Sequence, residues 1–279
     1  MCGAWKQGFD TPHDWNIITE PCPNADNRCV KVSRGRYLGG CTGCNGTLCV
    51  RGVKQDYDDW ELPGWSGDEF WRYMTKVCPL TAVVGELKAN WLKAETFHPK
   101  EWFKHDEKNH GTDGPLHTSP FDAAPITHLL LDSMESQGMP KKPDMFTTGD
   151  TAQGCGHVVR TVYQGLRSTA ADYVTSAKGN LVVLTETTVD KVNLTLEDGE
   201  RRASSVGIIN KEGAIKTVKA KKEIVVSGGA YCSPAILLRS GIGAKEEVES
   251  FGIESKINLP GVGKNLLDHL VHPLNALRG

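Results

Sequence analysis

The chain has 279 residues, enough to bury a full hydrophobic core as one large domain or two smaller ones. Its 39% hydrophobic and 24% charged residues are ordinary for a globular protein, and a formal net charge of −2 gives no electrostatic case for nucleic acid or an anionic membrane. No apolar run approaches the roughly 20 residues that span a bilayer, and the start "MCGAWKQGFDTPHDW" lacks the apolar core of a secretory leader. The expectation is a protein that is not secreted, weakly favouring an intracellular place, or one whose true start lies upstream. Nine cysteines in a chain this long are too sparse for a disulfide scaffold and read as reduced, semi-buried thiols.

In chain order, residues 1–33 are irregular, with Pro12, Pro21 and Pro23 and no helical period. A glycine-rich stretch follows, with Gly35, Gly39, Gly40, Gly43 and Gly46. Ser66 is an N-cap and Glu69, three residues on, completes a capping box; Phe70, Tyr73, Met74 and Val77 then line one helical face. Residues 93–120 are polar and read as a long surface loop. Its histidines 98, 105, 110 and 117 have spacings that match no compact zinc pattern, and they read as solvated. "PITHLLLDSMESQ" predicts a helix with Ile126, Leu129, Leu130 and Met134 on one face and Gly138 as its stop. "HVVRTVYQGLRSTAADYV" is a second helix candidate. From residue 180 short β-branched runs alternate with the turns "EDGE" and "NKEG". Ile224 to Ser227 reads as a strand running into Gly228-Gly229, with a helix from about Ser233 and Pro234 in its first turn.

Two stretches carry chemistry. A strand–glycine turn–helix unit at 224–239 is how doubly wound folds offer backbone N–H groups to phosphate; the bland alternative is a tight connection that binds nothing. In "LGGCTGCNG", Cys41 and Cys44 form C-x-x-C, but no second pair completes a zinc site, and no Gly-Lys-Ser/Thr makes it a Walker loop. A thioredoxin-like dithiol needs a strand before it and a helix after it, and neither is evident. A bare backbone fitted around a ligand therefore outranks metal and redox chemistry.

Together these stretches resemble the glucose–methanol–choline (GMC) flavoprotein oxidoreductases. "GAYCSPAILLRSGIG" (229–243) is similar to that family's downstream signature throughout, and "GRYLGGCTGCNGTLCVRG" to its upstream one, with Cys41, Cys44 and Cys49 as departures. "DWNIITEP", "RGVKQDYDDWE", "HGTDGPLHTSP" and "LPGVGKNLLDH" agree in order and spacing. The resemblance implies a mixed α/β fold: part of an FAD-binding dinucleotide fold, in 1–92 and 161–279, interrupted by substrate-domain residues in 93–160. It implies FAD as cofactor, touched by Gly40, Cys41, Asn45, Gly46, Thr47 and Leu48, with Val189 meeting the adenine through its backbone and Ser227 to Ala230 nearby. It implies oxidation of a small-molecule alcohol, with a lyase or cyclase on the same fold, or an inactive remnant, as alternatives. The family's G-x-G-x-x-G unit and its catalytic histidine pair match nothing in this chain, so no catalytic residue is assigned here; His269 and His272 are read as structural.

Overall fold

The computed structural model describes residues 8–75, 94–122, 124–175 and 179–268. The chain divides into two compact units, Met1–Leu181 and Val182–Gly279. Among the described residues no helix is long and apolar enough to cross a membrane.

In the first unit, β1 (Ile17–Ile18) pairs antiparallel with β2 (Lys31–Val32), and the buried carboxylate of Asp14 pins both to the start of the glycine stretch. Its Oδ1 accepts the amides of Asn16 (3.0 Å) and Arg34 (2.9 Å). Burial alone would raise the Asp14 pKa; these amides outweigh it and hold the carboxyl well below the usual carboxylate range. A 3₁₀ turn at Gly40–Gly43 leads into β3 (Leu48–Cys49). Then come α1 (Lys54–Asp58), which the sequence did not announce, and α2 (Gly67–Thr75). The capping box forms: the Glu69 amide donates to Ser66 Oγ and the Ser66 amide to the Glu69 carboxylate, both at 3.3 Å. The two helices clasp through Tyr57 stacked on Phe70, ring centroids 4.0 Å apart, with Trp60 and Trp65 around them. Val77 lies outside the described residues.

The supposed surface loop 93–120 is largely structured. It supplies β4 (Glu95–Phe97) and β5 (Leu116–Pro120), and Glu95, Phe103, His110 and Thr118 are buried. The reading of all four histidines as solvated therefore fails at His110; a polar composition hid a polar core. The predicted helix at 125 is present as α3 (Pro125–Ser136), ending before Gly138 at φ +89°. Its apolar face is exposed, however: Ile126, Leu129, Leu130 and Met134 all lie open to solvent among the described residues. A short α4 (Met145–Thr148) follows.

The second helix candidate is mostly strand: β6 (Val159–Arg160), β7 (Val162–Tyr163) and β8 (Leu166–Arg167), then only a short α5 (Ala171–Thr175). The reason is local. β-Branched Val158, Val159, Thr161 and Val162 favour extended backbone, and Gln164-Gly165, both at positive φ, make a hairpin turn between β7 and β8. β3, β6, β5 and β4 form one sheet in that order, antiparallel except for the β4–β5 pair.

The second unit is a meander, β9 (Thr188–Glu197), β10 (Glu200–Ile209) and β11 (Ile215–Lys219), with β10 central. The Asp198-Gly199 turn, both residues at positive φ, matches the expected hairpin. α6 (Gly229–Arg239) packs on β9, with Ser240 as the joint: its Oγ accepts the Val192 amide (2.8 Å) and donates to the Ile236 carbonyl (2.6 Å). The helix begins at Gly229, earlier than expected, so Pro234 sits inside it. Residues 224–227 form no ladder among the described residues, and Val225 is exposed. β12 (Ile242–Gly243), α7 (Lys245–Ser250) and β13 (Ile257–Asn258) close the unit, β12 and β13 pairing in parallel.

The β4–β5 connection depends on a missing side chain. A Cβ on Gly114 would lie 2.2 Å from the Glu95 nitrogen and from the Ala94 carbonyl carbon. Backbone cannot swing aside as a side chain can, so Gly114→Ala is expected to destabilise the first unit by about 2 kcal/mol or more, read by urea unfolding.

Candidate functional site

The glycine stretch is a wall with two kinds of glycine. A Cβ on Gly43 would fall 2.4 Å from the Tyr37 ring, and one on Gly35 would fall 2.7 Å from the Gly40 carbonyl oxygen. These two are glycines because Tyr37 and the loop itself fill the space. Burial raises the Tyr37 pKa, and the hydrogen bond with Cys44 adds to the rise. Gly40 and Gly46 differ: a Cβ on either meets nothing within 4 Å. Bare backbone there faces open space, the condition for close approach of a flat or anionic group.

The residues expected at a cofactor divide accordingly. Cys41, Asn45, Gly46 and Leu48 are exposed, and Gly40 is half-buried. Thr47 is turned inward, 1% exposed and at φ +65°, and its carbonyl accepts the Thr161 amide (2.9 Å). Asn45 folds the turn itself, its Oδ1 accepting the Thr47 amide at 2.9 Å. Among the described residues, nothing accepts the Gly46 N–H. Val189 belongs to the second unit, on edge strand β9 opposite Ile208, and Ser227–Ala230 are exposed at the start of α6. The seven cysteines among the described residues are free thiols, and among those residues no group of three His, Cys, Asp or Glu side chains is arranged to hold a metal ion. His269 and His272 lie outside the described residues.

Behind the loop sits a charged cluster that the sequence reading missed. His110 bridges two buried carboxylates: Nδ1 to Glu95 Oε2 at 3.2 Å and Nε2 to Asp144 Oδ2 at 3.1 Å, each side chain about 3% exposed. Glu95 also accepts the Gly111 amide (3.1 Å) and the Thr118 hydroxyl. Phe97 stacks on the imidazole, centroids 3.7 Å apart. Arg51, two residues beyond β3, enters the same cluster, donating to the Thr147 carbonyl (3.1 Å) and the Asn109 carbonyl. Burial would push His110 down; the Asp144 and Glu95 carboxylates outweigh it and raise its pKa to about 9. Glu95 is lowered against the same burial, chiefly by His110 and Thr118. With both nitrogens engaged by carboxylates, the imidazolium is a structural cation with no free nitrogen to exchange protons with a substrate. The sequence signal was the block "HGTDGPLHTSP", which holds His110 and Thr118 but does not name Glu95 or Asp144 as partners.

The GMC oxidoreductase family matches residues 18–271 of the chain. An oxygen-dependent choline dehydrogenase of Rhizobium rhizogenes is 34% identical over 270 residues, which are 96% of this chain and 44% of that protein. The chain thus spans less than half the length of the curated relatives it matches. Among solved structures, a formate oxidase of Aspergillus oryzae superposes with a TM-score of 0.79 at 24% identity, over 95% of this chain and 44% of the other. An FAD-dependent oxidoreductase from Chaetomium thermophilum superposes with a TM-score of 0.74 at 26% identity, over 90% and 42%. The mixed α/β architecture expected from sequence is that of these neighbours.

The cluster makes stability depend on pH in a definite direction. A histidine raised from 6.5 to about 9 stabilises fully below about 6.5, and its contribution is lost as pH rises towards 9. Urea unfolding of the wild-type chain should weaken across that window by on the order of 2 kcal/mol. His110→Gln should be flat in the same window and weaker below it by about 3 kcal/mol, because two buried carboxylates lose their partner.

Proposed function

The chain belongs to the GMC oxidoreductase family, and we propose that its glycine loop contacts FAD in an oxidoreductase acting on the CH–OH group of a small alcohol. The observation that carries the reading is the open space at Gly40 and Gly46, on a loop where neighbouring glycines are already filled from within. The exposed Gly46 N–H is suited to an anionic, flat ligand, as a phosphate-bearing cofactor is. Relatives named as choline dehydrogenase and formate oxidase support an oxidation of a small organic molecule. The chemistry FAD supplies when bound is acceptance of a hydride from the carbinol carbon.

The residues of this chain hold and shape. Gly40 and Gly46 let the backbone approach; Asn45 fixes the turn; Thr47 anchors it inward. Cys41 presents an exposed thiol where the family usually has a small hydroxyl residue or glycine, which weakens one hydrogen-bond donor without filling the approach. Val189 is assigned to the adenine end through its backbone. None of the described residues is assigned to accept the alcohol proton.

The test is the visible absorbance of the purified chain before and after adding FAD. Flavin bands that stay with the protein through gel filtration support the reading, and a protein indifferent to FAD overturns it. Gly46→Glu places a carboxylate on the loop in open space, so it should weaken FAD binding about tenfold or more (~1.4 kcal/mol) with an unchanged unfolding midpoint. Anaerobic bleaching of the bound flavin by small alcohols, choline first, tests the redox half of the proposal.

A further inference from the structure

The glycine loop does not hold its shape alone. Arg167, at the end of β8, puts its guanidinium against the loop. Nη1 donates to the Thr42 carbonyl (3.1 Å) and to Asn45 Oδ1 (2.9 Å), and Nη2 donates to the Asn45 carbonyl (2.9 Å). These contacts tie residues more than 120 positions apart in the chain. The platform under Arg167 is rigid. The Gln164-Gly165 turn sets β8 opposite β7, with Val162 paired to Arg167. The next residue, Ser168, is buried, accepts the His117 amide (2.9 Å) and donates to Asp172 (2.7 Å). The Ala170 amide adds a further tie, donating to Thr42 Oγ1 at 2.9 Å.

A trans peptide points its C=O and the following N–H in opposite directions, and no peptide among the described residues is cis. Drawing the Asn45 carbonyl onto Arg167 therefore turns the Gly46 N–H away from Arg167. Among the described residues nothing accepts that N–H, and it lies at a glycine where a Cβ would meet open space. Two loop carbonyls that could otherwise face an anion are held back by the same side chain, and a fixed positive charge stands behind the loop. Lysine carries the charge but cannot make the planar three-contact fork.

We infer that Arg167 is the positioning residue of the flavin loop, holding the Asn45 carbonyl to itself so that the Gly46 N–H, on the opposite side of that peptide, is presented to the anionic part of the cofactor. The cofactor half of this inference rests on the function proposed above; the loop half does not. It assigns no chemistry to Arg167, which acts through the backbone it holds.

Two readouts on the full chain separate the halves. The first is alkylation of exposed Cys41 by iodoacetamide without FAD, followed by mass spectrometry, with buried Cys155 as the internal check on folding. Arg167→Met and Arg167→Lys should both speed Cys41 modification severalfold and leave Cys155 protected. The second is FAD titration followed by flavin fluorescence. Both variants should bind about tenfold more weakly than wild type, lysine recovering little because the fork and not the charge sets the loop. Unchanged Cys41 rates overturn the positioning role outright. Faster Cys41 with unchanged FAD affinity overturns the link to the cofactor. Recovery by lysine alone overturns the fork in favour of simple charge. A wild-type chain that binds no FAD overturns the proposed function, and the Cys41 rates still decide the loop claim. Should Arg167→Met expose Cys155, Arg167→Lys carries both comparisons.

Discussion

One buried cation organises the first unit. His110 is held between Glu95 and Asp144; this trio and the groups bonded to it come from β4, β5, the His110–Gly111 segment and the residue before α4, and Arg51, after β3, joins the same region through the Thr147 and Asn109 carbonyls. Ionised groups taken out of water are costly unless they are paired, and here each carboxylate meets one nitrogen of His110. Each strand or loop that brings a partner is therefore fixed relative to the others, and small errors in register leave a charge unpaired. The apolar core of this unit is modest, with Phe103, Met145, Val159 and Val162 among its buried members, so the charged cluster takes on the ordering role that a larger core would have.

The same cluster explains how a loop rich in glycine can be a shaped surface. The stretch from Gly35 to Arg51 is anchored at its start by Asp14 on the Arg34 amide, in its middle by Arg167, and at its end by Arg51 in the His110 cluster. Tyr37 fills the inside of the first turn. Conformational freedom that the glycines would otherwise have is removed by these anchors, and binding need not spend free energy ordering the loop. The open positions Gly40 and Gly46 are thus gaps in a rigid rim.

The sequence exposed those features whose cause is local. The capping box at Ser66 and Glu69, the α3 helix with its Gly138 stop, and the β9–β10–β11 meander with its Asp-Gly turn are each decided by neighbouring residues. The glycine loop was legible for the same reason, through its motif. What was missed is decided by distant partners. His110 looked solvated because Glu95 and Asp144 lie 15 and 34 residues away, and nothing in the local pattern marks them as its partners. Residues 157–174 had enough apolar spacing for a helix, yet their β-branched run and the Gln164-Gly165 turn prevailed once β3 and β5 offered a sheet. Arg167 was invisible because two of its three acceptors are main-chain carbonyls, which carry no sequence signature, and all three lie more than 120 residues away. The apolar face of α3 was read correctly as a face, but among the described residues nothing covers it.

The pairing pattern sets an order of assembly. In the second unit the meander joins near neighbours; Asn193 meets Ser205 only 12 residues along. In the first, Thr161 must find Thr47 across 114 residues before β3 and β6 can zip. Closing the longer loop costs more chain entropy and is rewarded later. Contact order thus favours early formation of the meander, whereas the shape of the glycine loop waits on contacts such as Arg167 with Thr42 that span more than 120 residues. On refolding from denaturant, contact order therefore favours a formed meander beside a β3 that is still an open edge, and that unpaired edge is where the first unit is most open to mispairing.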